Sequence, residues 1–332
     1  MGQQFNATVS SVQDATLITD FVYDLTEALR VRQASWAETL GFVPPGLRLL
    51  LEGRLPVDIS TTEVRKSDGE DKFTGLNDTY VPYAIEKFYQ GIEESPSRLK
   101  DPVSGRILQW QAAPKRIAKK WSTFSNKKIA ALLGGGKASG AVWTGGANFF
   151  GTGHKFNPKK SSLGTFSNLL GNNGGIGPWY MLLNGDGWGM FPWAVVRGEG
   201  DPPAQNAGSF RTADGMNITV FDYASEHYAK YGTLRIKSEA SYGFALLHPQ
   251  SIVRAENAVT YANVKAAVDA LRTMKDLDGD EAAEDMSMTI LAPKGLLSDF
   301  EAVLGREMVD VGGVSVTNDL RTKGIKLVGL TS

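Results

Sequence analysis

Apolar residues near the start of the chain recur three and four positions apart. Leu17, Phe21, Val22, Leu25 and Leu29 mark one helix face and predict a helix over 14–40, with Asp14 as its cap and Pro44-Pro45-Gly46 ending the segment. A second helix is predicted over 113–133, opened by Pro114 in its first turn and stopped by Gly134-Gly135-Gly136. Between the two lie short extended runs such as Leu55–Val64 and a polar loop whose tip is Ser67-Asp68-Gly69-Glu70-Asp71. Further on, Trp179–Leu183, Met190–Val196 and Leu234–Leu247 read as strands, the last from the alternation of Leu234, Ile236, Tyr242, Phe244 and Leu246.

The last 70 or so residues change character. Tyr261, Val264, Val268, Leu271 and Met274 predict a helix, and Met288–Ala292 a strand closed by Pro293. Leu296, Leu297, Phe300, Val303 and Leu304 predict another helix, followed by short strands at Val314–Val316 and Ile325–Val328. This reads as a compact unit with its own small core. No internal repeat is present, and the fold class is α+β.

Composition narrows the reading. Of 332 residues, 42% are hydrophobic and 21% charged, enough to build a core. The net charge is −1, so no global field draws the chain to a polyanion or a membrane. Glycine is in excess, 37 residues against a usual share of ~7%, and 13 of them lie between Gly134 and Gly177. Cysteine is absent, which excludes disulfides, thiolate catalysis and Cys-ligated zinc. Met1-Gly2-Gln3-Gln4-Phe5 has no signal-peptide pattern, and no apolar run approaches the ~18 residues of a membrane span. The expectation is a soluble protein made in a cytoplasm.

Motifs of catalysis fail on inspection. Gly134-Gly135-Gly136-Lys137 resembles a phosphate loop, but Ala131 and Ala138 stand where Gly and Ser or Thr are needed, and the run follows a helix. Asp276, Asp278 and Asp280 alternate like calcium ligands, but Glu281 and Ser287 occupy the positions of the required Gly and Glu. His154, His227 and His248 share no metal-ligand spacing. The expectation is no enzyme, no catalytic or metal residue and no cofactor.

Charge distribution is informative where net charge is not. From Pro102 to Gly185 there is no Asp or Glu, while eleven Lys and Arg occur. The candidate interface residues are Lys115, Arg116, Lys119, Lys120, Lys127, Lys128 and Lys137; the others are Arg106, Lys155, Lys159 and Lys160. Solvated helix faces usually mix both signs. A purely basic stretch meets either a polyanion, contacted without sequence preference, or an acidic surface on a neighbouring subunit.

Several segments together resemble the phage Mu-like major head subunit family. They are Ala147-Asn148-Phe149-Phe150-Gly151-Thr152-Gly153-His154, Gly177-Pro178-Trp179-Tyr180-Met181-Leu182-Leu183, Val220-Phe221 with Tyr231-Gly232 and Ser241-Tyr242-Gly243-Phe244. Thr289-Ile290-Leu291-Ala292-Pro293 with Leu296-Leu297, and Val311-Gly312-Gly313-Val314-Ser315-Val316-Thr317-Asn318 with Lys326-Leu327-Val328, complete the set. Their order and spacing agree over about 110–332; Gly153 stands where the family commonly has an acidic residue before the histidine.

The resemblance implies an HK97-like major capsid protein fold: a long spine helix at 113–133, a peripheral β-sheet with its long strand at 234–247, an axial domain, an extended loop and an N-terminal arm. The implied division is arm 1–44, extended loop and start of the peripheral domain 45–111, peripheral domain 112–258 and axial domain 259–332. The implied function is self-assembly into the icosahedral shell around a phage genome, as part of the virion. Implied partners are copies of the chain as hexamers and pentamers, packaged DNA, and portal, scaffolding or decoration proteins, with no membrane. Competing readings are a cellular nanocompartment shell of the same fold, an enzyme using the carboxylates around Asp276–Asp285, and an extracellular binding module, which the missing signal peptide and cysteines disfavour.

Overall fold

The computed structural model describes residues 12–31, 35–44, 52–56, 80–101, 103–135, 148–157, 161–171, 177–184, 189–198, 208–212, 215–281 and 286–330. In chain order the helices are α1 (Val12–Arg30), α2 (Trp36–Leu40), α3 (Pro96–Lys100), α4 (Arg106–Gly134), α5 (Glu226–Tyr231), α6 (Tyr261–Arg272) and α7 (Leu297–Gly305). The strands are β1 (Glu52–Pro56), β2 (Tyr80–Glu94), β3 (His154–Lys155), β4 (Thr165–Phe166), β5 (Leu169–Leu170), β6 (Trp179–Leu183), β7 (Trp193–Gly198) and β8 (Gly208–Arg211). They continue with β9 (Asn217–Phe221), β10 (Leu234–Leu246), β11 (Ile252–Ala255), β12 (Met288–Pro293), β13 (Met308–Val311), β14 (Val314–Thr317) and β15 (Lys326–Leu330).

Two sheets organise the chain. The first runs β1-β2-β10-β9-β8, and β7 pairs with the far half of β10. Antiparallel pairing of Ile85–Glu94 with Leu234–Gly243 is its longest ladder. One face of this ladder, with Ile92, Ile236, Ala240 and Tyr242, packs on α4. β1 and β2 are antiparallel stems, and Leu55, Val81 and Tyr83 anchor them beside Ala194, Val196 and Leu247. The expected extended loop, together with its polar tip, lies outside the described residues.

The second sheet runs β15-β12-β6-β11-β5. Its centre is β6, where all five side chains of Trp179–Leu183 are buried. Trp179, Met181 and Leu183 face a core with α6 and α7; Tyr180 and Leu182 face the core around α4. An uninterrupted apolar run is what a strand covered on both faces requires. The C-terminal unit, whose own pattern suggests a separate small core, therefore shares that core with earlier segments. Phe156, Phe166, Trp179, Met181, Leu183, Val253 and Ala255 all enter its core from before residue 259.

Several expected boundaries are corrected. The helix expected over 14–40 begins at Val12, so Asp14 lies inside it, and it ends at Arg30. A second helix starts at Trp36 because Ser35 caps it, its side chain accepting the Glu38 N–H at 3.2 Å. The described part of the expected arm folds on its own chain: Phe21, Leu25, Leu29 and Ala37 are buried, and the Phe21 ring sits 4.8 Å from that of Trp110. The spine helix starts at Arg106, eight residues before Pro114. Gly105, at φ 62°, turns the chain into it, and the helix runs on through Pro114, which removes one backbone donor and crowds the carbonyl one turn before it. The strand expected at Met190 starts at Trp193, after Pro192.

A small ionic cluster fastens the C-terminal turn to α6. The Asp319 carboxylate accepts from Lys265 Nζ at 2.8 Å and from the Tyr261 hydroxyl at 2.7 Å. Lys265 chiefly, then Tyr261, hold the Asp319 carboxyl down at about 2, below its ordinary 3.8. A lowered folded-state pKa stabilises above the unfolded value, and that stability fades as pH falls from about 4 towards 2. Asp319→Asn is expected to flatten the acid limb of a stability–pH profile. The loss at neutral pH stays below about 1 kcal/mol, because the side chain is 41% exposed. Urea unfolding of both chains from pH 2 to 7 checks it; an unchanged acid limb counts against the cluster.

Candidate functional site

The basic stretch of the sequence becomes one face of α4. Trp110, Ala113, Ile117, Trp121, Ile129 and Leu133 bury the opposite face. Polar contacts at Trp121, Asn126 and Leu133 help fix the helix rotation. Trp121 Nε1 donates to Ser238 Oγ at 2.9 Å, and Ser238 Oγ donates to the Gln90 carbonyl at 2.9 Å. Asn126 Oδ1 accepts the Ala37 N–H at 3.0 Å, and Arg254 Nη1 donates to the Leu133 carbonyl at 3.3 Å.

With the inner face pinned, Lys115, Arg116, Lys119, Lys120 and Lys127 are exposed and have no ion pair among the described residues. Lys115 and Lys119, and likewise Arg116 and Lys120, are four apart, so like charges stack along the helix at about 0.2–0.5 kcal/mol each. Lys128, of the same expected set, sits differently. It is half-buried, with Nζ 4.6 Å from the Phe88 ring centre and 5.8 Å from that of Phe124. Its role is to cover the aromatic core. Lys137, Lys159 and Lys160 lie outside the described residues, and Arg106 is held 3.7 Å from Glu94.

The C-terminal half of this face borders an open groove of about 700 Å³ between α4 and the second sheet. Lys119 and Lys127 stand on one side and Lys294 on the other, over Ala131, Pro178, Pro293 and Leu330. Lys294 follows the end of β12 and was not legible as a partner of α4, since nothing local in its sequence links the two. Among the described residues no acidic side chain lines the groove.

The remaining chemistry stays dispersed. His154 is buried against Phe166, and burial lowers its pKa. His248 Nδ1 contacts the backbone of Phe191, and His227 Nε2 lies 3.2 Å from Glu93. Asp276 Oδ1 accepts the backbone N–H of Asp278, Gly279 and Asp280 at 2.8–2.9 Å, so this carboxylate closes its own loop. Among the described residues no group of His, Asp and Glu could hold a metal ion, and no helix is long and apolar enough to cross a membrane.

Comparisons with known proteins follow this geometry. The family model described as Mu-like prophage major head subunit gpT matches residues 69–329. The subunit in the procapsid of bacteriophage JBD30 is similar with a TM-score of 0.68 at 16% identity, over 97% of this chain and 99% of that one. The JBD30 capsid gives 0.59 at 12% identity over 90% of each chain. The JBD30 capsid decorated with minor capsid protein trimers gives 0.59 at 13%, again over 90% of each. Among curated proteins none matches in sequence. The similarity carries the fold: an α+β architecture of the HK97-like capsid type, with α4 as its spine helix.

Proposed function

This chain belongs to the Mu-like prophage major head subunit gpT family, and from that premise we propose how its surfaces are used. The protein is a major capsid protein whose copies assemble into the phage head shell. In our reading the copies gather as hexamers and pentamers in the host cytoplasm, and their work is structural, with no catalytic step. The division into arm, extended loop, peripheral domain and axial domain is part of the same reading. Portal, scaffolding and decoration proteins are further partners.

We propose that Lys115, Arg116 and Lys120 face the packaged DNA. The observation that carries this is a run of like charges, stacked at helical spacing and unpaired among the described residues. Such stacking costs the isolated helix stability. A phosphate backbone close by offsets that cost and needs no base recognition.

The double variant Lys115→Glu/Arg116→Glu tests it with opposed signs. Each new Glu lies four residues before a Lys, the favourable order for a helical pair, so the subunit should be at least as stable as before. Shell yield should hold. DNA retained in particles should fall, and the salt slope of subunit–DNA binding should drop by about 2, at ~0.9 per lost phosphate contact. Equal DNA content and an equal slope would refute the assignment.

A further inference from the structure

The hairpin of β13 and β14 has one face made only of valine. Its register pairs Val309 with Val316 and Val311 with Val314. The face starts on the subunit's own core and runs past it: Val309 is 6% exposed and Val316 half-buried, while Val311 is 47% and Val314 62% exposed. Met308, 51% exposed, is on the other face. Gly312 and Gly313, both at positive φ, make the tight turn, and Asp310 fastens it by accepting the Gly313 N–H at 2.8 Å. Between Glu307 and Asn318 the hairpin carries no Lys or Arg; Glu307 at its base is paired with Arg321 at 2.7 Å, which leaves Asp310 as the carboxylate near the tip with no ion pair among the described residues. An isolated two-stranded ribbon is marginal in water, and exposed valines at its tip add no stability to the lone subunit.

The lysine-rimmed groove complements this hairpin in chemistry. Its floor of Ala131, Pro178, Pro293 and Leu330 is apolar, and its rim of Lys119, Lys127 and Lys294 is basic and unpaired among the described residues. A space of about 700 Å³ suits a turn of polypeptide. We infer that the β13–β14 tip of one copy seats in the α4 groove of a second copy, Val311 and Val314 against its apolar lining and Asp310, on the hairpin's other face, towards the lysine rim.

The two surfaces differ, so the contact is head-to-tail and can close into rings of subunits. It rests on the reading of the chain as a self-assembling head subunit. It also divides the basic residues of α4: Lys119 and Lys127, which line the groove, for the neighbour, and Lys115, Arg116 and Lys120, which do not, for the genome.

The chain has no cysteine of its own, so introduced thiols report without background. Val314→Cys combined with Ala131→Cys, treated with a short bis-maleimide in assembled shells, is expected to link subunits into covalent oligomers. Each single variant should stay unlinked. Shells that form but do not link, or Val314→Cys linking to itself, would overturn the inference; the second result would place the hairpins against one another.

The triple variant Lys119→Glu/Lys127→Glu/Lys294→Glu should lower subunit association at least about tenfold while the monomer keeps its unfolding midpoint. Unchanged assembly with reduced DNA content would assign the groove to the genome and sink the proposal. Failure of the unaltered chain to form shells would instead refute the reading beneath it.

Discussion

Trp193→Ala is expected to remove about 3–5 kcal/mol of subunit stability, the range for deleting a large aromatic side chain from a packed core. The indole is fully buried, meets Trp36 edge-on at 5.7 Å, and donates from Nε1 to the Ala37 carbonyl at 2.7 Å. It joins β7 to the short helix α2, and through Asn126 the same helix is tied to α4. Removing it leaves a cavity and a buried carbonyl without its donor, and the two costs add. Gly41→Ala tests the same joint from the other side. A Cβ there would lie 2.3 Å from Trp193 Nε1 and 2.6 Å from the Ala37 carbonyl oxygen, so the indole has to leave its acceptor. A loss of about 1–3 kcal/mol is expected. Denaturant unfolding gives both values. Amide exchange should quicken first over 35–44, and exchange unchanged there would mean the joint is not where the segment is held.

The second large effect is Gly91→Val. Gly91 pairs with Lys237 in the long ladder of β2 and β10, and a Cβ at Gly91 would stand 2.3 Å from the Ile236 carbonyl oxygen. The obstructing atom is backbone within a paired strand, so relief requires the two strands to separate locally. That loses ladder hydrogen bonds next to Ile92 and Ile236, both packed beneath α4. About 3 kcal/mol or more is expected, because strain and lost pairing combine. Gly91→Ala should be milder but of the same sign. A Gly91→Val subunit that unfolds at the midpoint of the unaltered chain would contradict so close an approach of the two strands.

Much of this architecture was legible because burial writes simple patterns. β6 has its expected bounds, since a strand covered on both faces is an unbroken apolar run between turn residues. α6 and α7 follow their apolar stripes within a residue or two. β2 was hidden: Pro82 and Gly91 argue against a strand, and its inner face includes Gln90, whose place is set by Ser238 from far along the chain. Pro114 misled for a related reason. A first-turn preference is a statistic about helix starts, and Ile107, Leu108, Gln109 and Ala112 extend the helix before it.

The candidate surface was legible as charge but not as shape. An 84-residue span without a carboxylate is plain in the sequence. Which of its cations reach solvent is not. Lys127 and Lys128 are neighbours, yet one is exposed and the other lies over Phe88, because successive helix positions point about 100° apart. Lys294 joins the groove only once β12 is laid beside β6. Where the apolar face of the first helix packs was not legible, because an amphipathic helix does not announce which surface it will cover; here Phe21, Leu25 and Leu29 cover α4.

The central claim is that this chain acts by tiling with its own copies, α4 turned to the enclosed space. Electron cryomicroscopy of the purified chain at assembly concentrations tests it most directly. Closed shells are predicted, with subunit density fitting both sheets and with Lys115, Arg116 and Lys120 on the inner wall. Monomers or small open oligomers that persist as concentration rises, or shells with that helix face on the outside, would contradict it.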